Sequence, residues 1–319
     1  MSALSSPAAA AVLATISCAL WGSAPVCIKL GYAAFQIDPS DTLSILVFAG
    51  FRFSMAGLLV ILFCSLRQHR PLLPRRESWR AVLPLALSQT VIQYLLYYVG
   101  VAHASGVKAS VLSASGSFFS VVIACLIFRQ EKLTMPKMAG CLTGFGGILL
   151  VNLAGSGQAE ALSLHMTFLG EGCVLLSTIS GSVSAVLIHH FSRREDPVML
   201  SGWQFFTGGL LLLSAGLLGG GRLPVICRQG LALLFYLACV SAVAYTLWSL
   251  LLSQNPVSRI AVYNFLIPVF GVIFSALFLH ESGVFSLPTL LSLLLVCGGI
   301  WMVNRRKPEI RDKRNDLSR

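Results

Sequence analysis

Residues 50–60 read GFRFSMAGLLV, and residues 202–212 read GWQFFTGGLLL. Both segments are apolar, begin with glycine, and carry one large polar side chain two positions later, Arg52 in the first and Gln204 in the second. These two residues are 152 positions apart in a chain of 319, which is nearly half its length. A match at that distance predicts that the chain consists of two related halves.

Further landmarks keep a spacing of 150 to 152 residues, and they are Tyr94 with Tyr245, Tyr97 with Trp248, Glu131 with Glu281, and Val151-Asn152 with Val303-Asn304. Chance similarity between apolar segments would not hold this register over such a length. The beginnings of the halves match less well, because Thr15-Ile16-Ser17 aligns with Thr178-Ile179-Ser180 at a spacing of 163. That spacing predicts a longer first loop in the first half.

The composition predicts a membrane protein. Hydrophobic residues make up 56% of the chain, charged residues 11%, and the mean hydropathy is +0.81, whereas about 25% of a typical soluble domain is charged. A helix needs about 20 mostly apolar residues to cross the hydrocarbon core. Ten such windows occur, at residues 8–31, 43–65, 80–101, 107–128, 136–154, 166–190, 198–219, 229–252, 258–279 and 285–304. We therefore expect an all-α membrane protein with ten transmembrane helices.

The basic residues indicate the orientation. The net charge of +11 does not form a basic stripe for nucleic acid, because Lys and Arg concentrate in every second loop and in the tail: Arg67, Arg70, Arg75, Arg76, Arg80, Arg129, Lys132, Lys137, Arg193, Arg194, Arg259 and residues 305–319. The opposite loops hold little beyond Lys108, Arg222 and Arg228. The positive-inside rule then predicts a multi-pass protein of the cell (inner) membrane with both termini in the cytoplasm.

Each half has an odd number of spans, so the second half must enter the membrane from the opposite face. The fold class expected is therefore two inverted five-helix repeats. We expect the first repeat at residues 8–154, the second at 166–304, and a basic cytoplasmic tail at 305–319. Inverted halves can exchange conformations, which is a physical basis for alternating access.

This pattern resembles the drug/metabolite transporter superfamily, in particular its EamA-type ten-helix transporters. The similarity lies in ALWGSAPVCIKLG, FRFSMAGLLV, QYLLYYVGVAHAS, LIFRQEKL, FLIPVFGVIFSALFLHE and LLLVCGGIWMVN. It implies a secondary transporter that exports small organic solutes such as amino acids, nucleosides, pigments or drugs. One departure concerns Pro268, because Phe118 is at the matching position of the first half. Gly116 and the serines around it would have to supply any break there.

Polar and aromatic residues inside the spans are the candidate substrate contacts, because polar groups are costly in lipid and tend to face a cavity. Gln89, Gln93 and Tyr97 share one helix face at spacings of four. The full set is Trp21, Gln89, Gln93, Tyr94, Tyr97, Ser113, Ser117, Tyr245, Trp248, Tyr263 and Asn264. An interfacial aromatic belt is the alternative for Tyr98 and Trp301. For Ser113 and Ser117 the alternative is close helix packing.

Two charged residues stand out within the spans. Arg52 lies about halfway along span two, where it is either an anion-binding residue or a structural brace, and the uncharged Gln204 at the matching position favours the brace. Glu171 lies near the outer end of span six and is the candidate proton-coupling group, or else an exposed residue just outside the span. Glu131 and Glu281 mark span ends and are expected to pair with a loop cation.

Other functions are less consistent with the sequence. There is no GxxxxGK[ST] loop for nucleotide phosphates and no HExxH motif, and we expect no metal, no cofactor and no enzymatic activity. An intramembrane lipid-modifying enzyme and an uptake carrier of the same fold remain the alternatives. The partners expected are a small-molecule substrate, the lipid bilayer and a coupling proton, with no nucleic acid. Glycines of spans five and ten predict close packing within each half or between subunits of a homodimer.

Overall fold

The computed structural model describes residues 6–104, 112–155, 167–279 and 287–304, and every regular element in these ranges is helical. Helices α3, α4, α6 and α9 each consist of consecutive segments of different helical type; in α4, Gly116–Val122 is α-helical and Ile123–Ile127 is π-helical. The bounds are α1 Pro7–Phe35; α2 Thr42–Gln68; α3 Trp79–Leu85, Ala86–Ile92 and Gln93–His103; α4 Leu112–Ile127; α5 Met135–Gly155; α6 Phe168–Gly172 and Cys173–Phe191; α7 Pro197–Leu218; α8 Arg228–Gln254; α9 Val257–Ala261, Val262–Phe265 and Leu266–Leu279; and α10 Leu287–Asn304.

These helices match the ten windows predicted from the sequence. Within the described ranges, α1, α2, α3, α6, α7 and α8 are long and apolar enough to cross a membrane, and α4, α9 and α10 contain shorter apolar helices. Polar residues define several helix starts: the side chains of Ser6, Asp41 and Asp196 each accept a hydrogen bond from a backbone N–H of the following turn. The expected ten-helix fold is therefore present.

The loops separate onto two faces of the molecule. On one face, Ser78 donates a hydrogen bond of 2.8 Å to Glu195, and the backbone N–H of Ser258 donates one of 3.0 Å to Glu131. We call this the basic face, because the basic loops predicted from the sequence belong to it. On the opposite face, the N–H of Val225 donates to the carbonyl of Phe35 at 3.2 Å. Successive helices are thus antiparallel.

The two halves meet along α2 and α7, and the contacts there are symmetric. A side chain at Gly57 would collide with the backbone of Phe206, and one at Gly209 would collide with the backbone of Ser54. Adding 152 to residues 57 and 54 gives residues 209 and 206, so each contact is the other's counterpart. Residues 152 positions apart in the sequence are therefore related by a pseudo-two-fold axis in the structure, as an inverted repeat requires.

The first helix of each half packs on the other half. Helix α1 contacts α8 and α9, and α6 correspondingly contacts α3 and α4. Trp21 of α1 packs on Tyr245, and Gly181 of α6 packs on Gln93. The spacing of 163 suggested by Thr15 and Thr178 stays a prediction.

The glycines of α5 and α10 join the two halves of one chain. A side chain at Gly140 would lie 2.7 Å from the carbonyl oxygen of Gly299, and one at Gly147 would lie 2.8 Å from that of Ser292. Close packing was expected within each half or between subunits, but these glycines are used between α5 of the first half and α10 of the second. Backbones approach closely because glycine has no side chain.

Helix α9 changes type where its proline would interrupt it. Residues Val262–Phe265 form a 3₁₀ turn immediately before the segment that contains Pro268. Proline has no N–H to donate to the carbonyl four residues earlier, here that of Asn264, so one α-helical hydrogen bond is missing at this turn. In the first half, a turn at Ser115 precedes Gly116, so both halves depart from regular helix at this level.

Candidate functional site

An aromatic cluster lies on the pseudo-two-fold axis at the centre of the molecule. Phe53 stacks on its symmetry counterpart Phe205, with ring centroids 5.5 Å apart and planes 15° from parallel. The ring of Tyr94 lies 4.3 Å from that of Phe53, and the ring of Tyr245 lies 4.6 Å from that of Phe205. The hydroxyl groups of Tyr94 and Tyr245 are hydrogen-bonded to each other. We call these four residues the axial cluster.

Trp21 extends the axial cluster from the side of α1. Its ring lies 4.7 Å from that of Tyr245 and 5.0 Å from that of Trp248. Its indole N–H is buried and has no acceptor among the described residues. A buried donor without a partner costs free energy, about 1–3 kcal/mol in typical cases. The structure therefore brings together four of the predicted residues, Trp21, Tyr94, Tyr245 and Trp248, and leaves one donor unused beside them.

Two polar pairs flank the axial cluster, and each pair joins a residue of one half to a residue of the other. The Nε atom of Arg52 donates to the hydroxyl of Ser241 at 3.0 Å. The amide nitrogen of Gln204 donates to the amide oxygen of Gln89 at 2.7 Å. The two pairs are equivalent, because Gln204 lies 152 positions after Arg52 and Ser241 lies 152 positions after Gln89. The predicted site residue Gln89 is thus engaged by a residue of the other half.

Arg52 is buried at the centre of this arrangement. Its side chain is 3% exposed, and its guanidinium carbon lies 5.1 Å from the ring centroid of Phe53. Tyrosines lie close by, since the ring of Tyr94 contacts that of Phe53 and also that of Tyr98. No carboxylate forms an ion pair with Arg52 in the part of the chain that the structure describes.

Gln93, Tyr97 and Tyr98 continue the site along α3. The amide of Gln93 rests against Gly181, where a side chain would come within 2.9 Å of it. Tyr98 is 8% exposed, and its ring lies 6.1 Å from the rings of Tyr94 and Tyr97. Tyr98 is therefore an interior residue rather than part of an interfacial belt. Trp301 is 60% exposed and faces outward, as a belt residue does.

The remaining candidates lie where α4 and α9 meet. The hydroxyl of Ser117 donates to the carbonyl of Ala261 at 2.9 Å, and the carbonyl of Tyr263 accepts from the thiol of Cys18 at 3.2 Å. Asn264 belongs to the 3₁₀ turn of α9. Ser113 has a buried hydroxyl without a partner among the described residues. Ser117 thus makes a packing contact between helices, whereas Ser113 has an unused donor.

Glu171 closes the first turn of α6. Its side chain is 5% exposed, and one carboxylate oxygen accepts hydrogen bonds from the N–H of Thr167 at 2.9 Å and from its hydroxyl at 3.1 Å. The hydroxyl of Thr167 in turn accepts from the N–H of Gly170 at 3.1 Å. This reciprocal pattern is that of a helix capping box. Glu171 is therefore not an exposed loop residue, and its role in proton coupling stays a prediction.

Glu131 joins the two halves at the basic face. Glu131 accepts hydrogen bonds from the N–H and the hydroxyl of Ser258, and it forms an ion pair of 2.7 Å with Lys137. The expected pairing of Glu131 with a loop cation is thus present. Burial raises the pKa of Glu131, but the hydrogen bonds from Lys137 and Ser258 outweigh it, so the pKa lies below its ordinary value. Glu281 lies outside the described residues.

Sequence reasoning missed three residues of the site. Phe53 and Phe205 stack on the axis, but the sequence did not predict them, because a phenylalanine does not stand out among the other apolar residues of a span. Their identical position in the two repeated segments could have revealed them. Ser241 gave no signal, since a single serine in a transmembrane helix is common and its partner Arg52 is 189 residues away.

Comparison with known proteins agrees with this architecture. A model of the EamA-like transporter family matches residues 8–153 and again residues 168–305. The uncharacterized transporter YvbV of Bacillus subtilis (strain 168) is 28% identical over 291 residues, which cover 90% of this chain and 88% of that protein. The probable amino-acid metabolite efflux pump of Escherichia coli (strain K12) is 26% identical over 281 residues, which cover 85% and 87% of the two chains.

A solved crystal structure has the same fold. It superposes with a TM-score of 0.74 at 14% sequence identity, covering 92% of this chain and 97% of the other. The family match is independent of that structure and spans both repeats. This multi-pass membrane protein therefore belongs to the EamA-like transporter family.

Proposed function

We propose that the protein is a secondary carrier that exports a small organic solute across the cytoplasmic membrane by alternating access. The observation that carries this proposal is the axial cluster, with its polar pairs Arg52–Ser241 and Gln204–Gln89. A site made of equivalent residues from two inverted halves can be exposed to either side when the halves exchange conformations. Both membership of a transporter family and the burial of polar groups at the centre support it.

The chemistry of the site favours a solute with a flat or apolar body. Aromatic rings from α1, α2, α3, α7 and α8 offer faces for stacking, and the unused N–H of Trp21 offers a hydrogen bond. The ring centroids are 4.3–5.5 Å apart, so the rings fill the centre themselves. Binding would then replace ring–ring contacts with ring–solute contacts. The name of the Escherichia coli relative makes amino acids and their metabolites the first solutes to try.

The contact of Glu131 with Ser258 supports a gating role for the basic face. It joins the loop between α4 and α5 to the start of α9, so it ties the two halves together beside the path from the axial cluster. A carrier that opens toward the basic face has to break this contact. Under the positive-inside rule we expect that face, and both termini with it, to lie in the cytoplasm.

Glu171 is proposed as the coupling group of an exchange with protons. A carboxylate that is 5% exposed at the end of a span can bind a proton when the surrounding turn rearranges. Substitution by glutamine separates the two roles of this residue. Glutamine keeps an acceptor oxygen for the N–H of Thr167, whereas it cannot carry the proton.

The test is flux in proteoliposomes that contain the purified full-length protein. Radiolabelled amino acids, nucleosides and amphipathic drugs are offered in counterflow, with and without a proton gradient, to the wild type and to Glu171→Gln. We expect saturable counterflow of at least one solute, and gradient-driven flux that Glu171→Gln abolishes while exchange survives. Folded protein that moves none of these solutes would contradict the carrier. Gradient-driven flux that persists in Glu171→Gln would contradict the coupling role.

A further inference from the structure

The pairing made by Arg52 does not require its charge. In the second half the neutral Gln204 makes the equivalent contact to Gln89 at 2.7 Å, and it is fully buried. In the first half the Nε atom of Arg52 makes that contact to Ser241 at 3.0 Å. A brace between these helices can therefore be built from a neutral amide. The positive charge is present at one of the two positions, so it needs an explanation other than packing.

Among the residues that the structure describes, none carries a negative charge at the depth of Arg52. Arg52 lies ten residues from the start of α2, which is about 15 Å along the helix axis. The acidic residues that the structure describes are all in loops or in the first turn of a helix: Asp38, Asp41, Glu77, Glu131, Glu171, Glu195 and Asp196. The tyrosines around Arg52 can solvate its charge but cannot cancel it. A charge buried at this depth without a counter-ion is costly, which is why such residues tend to be functional.

The guanidinium of Arg52 has a shape that suits a carboxylate ligand. Its Nε atom is committed to Ser241, and this contact fixes the side chain in position. The two Nη nitrogens form a planar fork that matches both oxygens of a carboxylate, a geometry that neither glutamine nor lysine offers. The unused indole N–H of Trp21 lies beside the same cluster, because Trp21 packs on Tyr245 and the guanidinium of Arg52 lies over Phe53.

From these observations we infer that Arg52 is the anion-binding residue of the transport site, and that the solute is an organic carboxylate whose flat or apolar body lies among the rings of the axial cluster. This inference rests on the proposed function, since it names the substrate class of the same site. The charge asymmetry between Arg52 and Gln204 also gives the symmetric site a direction, with the carboxylate on the side of the first half.

The test compares two probes that differ in charge alone. Indole-3-acetate and indole-3-acetamide share the ring system and nearly the same size. Their affinities for the purified full-length protein in detergent are measured by calorimetry and by the rise of the thermal unfolding midpoint. The wild type should bind the carboxylate at least about tenfold more tightly than the amide, the effect of one charge-assisted pair. Arg52→Gln should bring the two affinities together.

The control variant is Arg222→Gln, which removes one exposed arginine at the opposite face and should keep the wild-type preference. Arg52→Gln is expected to fold, because Gln204 shows that glutamine fits the equivalent position. If Arg52→Gln does not fold, Arg52→Lys is the second variant. Arg52→Lys should weaken binding of the carboxylate and leave the affinity for the amide within about twofold of the wild type. A wild type without preference for the carboxylate, or a folded Arg52→Gln that keeps it, overturns the inference.

The flux assay separates this inference from the proposed function. Transport of neutral or cationic solutes alone would retain the carrier and overturn the role of Arg52. Binding of indole-3-acetate that depends on Arg52, without flux of any solute, would retain the anion site and overturn the carrier.

Discussion

The hydroxyl groups of Tyr94 and Tyr245 share a hydrogen bond across the pseudo-two-fold axis, although the two residues are 151 positions apart in the chain. They are equivalent residues of the two halves, so this bond can form only where the halves meet on the axis. The arrangement ties the centre of the carrier together in the conformation described here. Any motion that separates the halves at this level has to break it.

Removing one of these hydroxyls should cost more than removing both. Tyr94→Phe or Tyr245→Phe leaves the other hydroxyl buried and unpaired, which should destabilise the protein by about 1–2 kcal/mol. The double variant removes both polar groups and should be no less stable than either single one. A double-mutant cycle of thermal unfolding in detergent measures the coupling. Strictly additive losses would show that the two hydroxyls do not interact.

Alanine at the seam between α2 and α7 should be strongly destabilising. A Cβ at Gly57 meets the backbone of Phe206, which cannot move aside as a flexible side chain could. We expect Gly57→Ala to cost about 1–3 kcal/mol. Gly146→Ala on α5 is the matched control, because nothing lies within 4 Å of the added carbon. Unfolding midpoints of the two purified variants test this, and equal midpoints would refute the close approach.

The contacts of Glu131 with Ser258 and Lys137 should make the stability of the protein depend on pH. The pKa of Glu131 is lower in the folded protein than in the unfolded chain, so its contribution is fully present above the unfolded pKa of about 4.5. It should disappear as the pH falls through the lower, folded pKa. The free energy of unfolding of the wild type should therefore exceed that of Glu131→Gln by about 1–3 kcal/mol at pH 7. This difference should shrink below about pH 4.5.

The control for that experiment is Glu77→Gln, which changes an exposed carboxylate of the same face. Its unfolding midpoint should follow the wild type at every pH. A gap between wild type and Glu131→Gln that stays constant down to pH 3 would rule out the titration of Glu131 as the cause.

A methyl group at Gly181 should disturb the site rather than the fold. The added carbon would lie 2.9 Å from the amide carbon of Gln93, the far end of a flexible side chain that can rotate away. We expect Gly181→Ala to raise KM for transport by roughly threefold to tenfold, about the effect of one lost hydrogen bond. Gly172→Ala on the same helix meets its nearest neighbour at 3.4 Å and is the control. An unchanged KM would place Gln93 outside the transport path.

Much of the fold could be predicted because the bilayer imposes a simple rule. Each span must be long, apolar and helical, so the ten windows follow from hydropathy alone. The repeat was visible because Arg52 and Gln204, or Tyr94 and Tyr245, are conspicuous residues in otherwise uniform spans. The start of the halves was predicted less well, since α1 and α6 share no such landmarks.

The site was predicted in part for the same reason. Aromatic and polar residues inside spans identified Trp21, Tyr94, Tyr245 and Trp248, which do meet. The sequence could not reveal that Ser241 holds Arg52, because hydrogen bonds between distant helices leave no periodic pattern. For Glu171 the sequence left its exposure open, and the structure shows a buried carboxylate that closes a helix turn.

The sequence by itself determined the number of spans, the distribution of charge between the loops and the division into two halves, because these depend on the local composition of each segment in lipid. The tertiary structure decided which helices of each half pack on the other half, and that Phe53 and Phe205 stack on the axis. It also buried Arg52 at a place where no carboxylate of the described residues lies beside it. Those features depend on side chains far apart in the chain, and the close packing of helices alone brings them together.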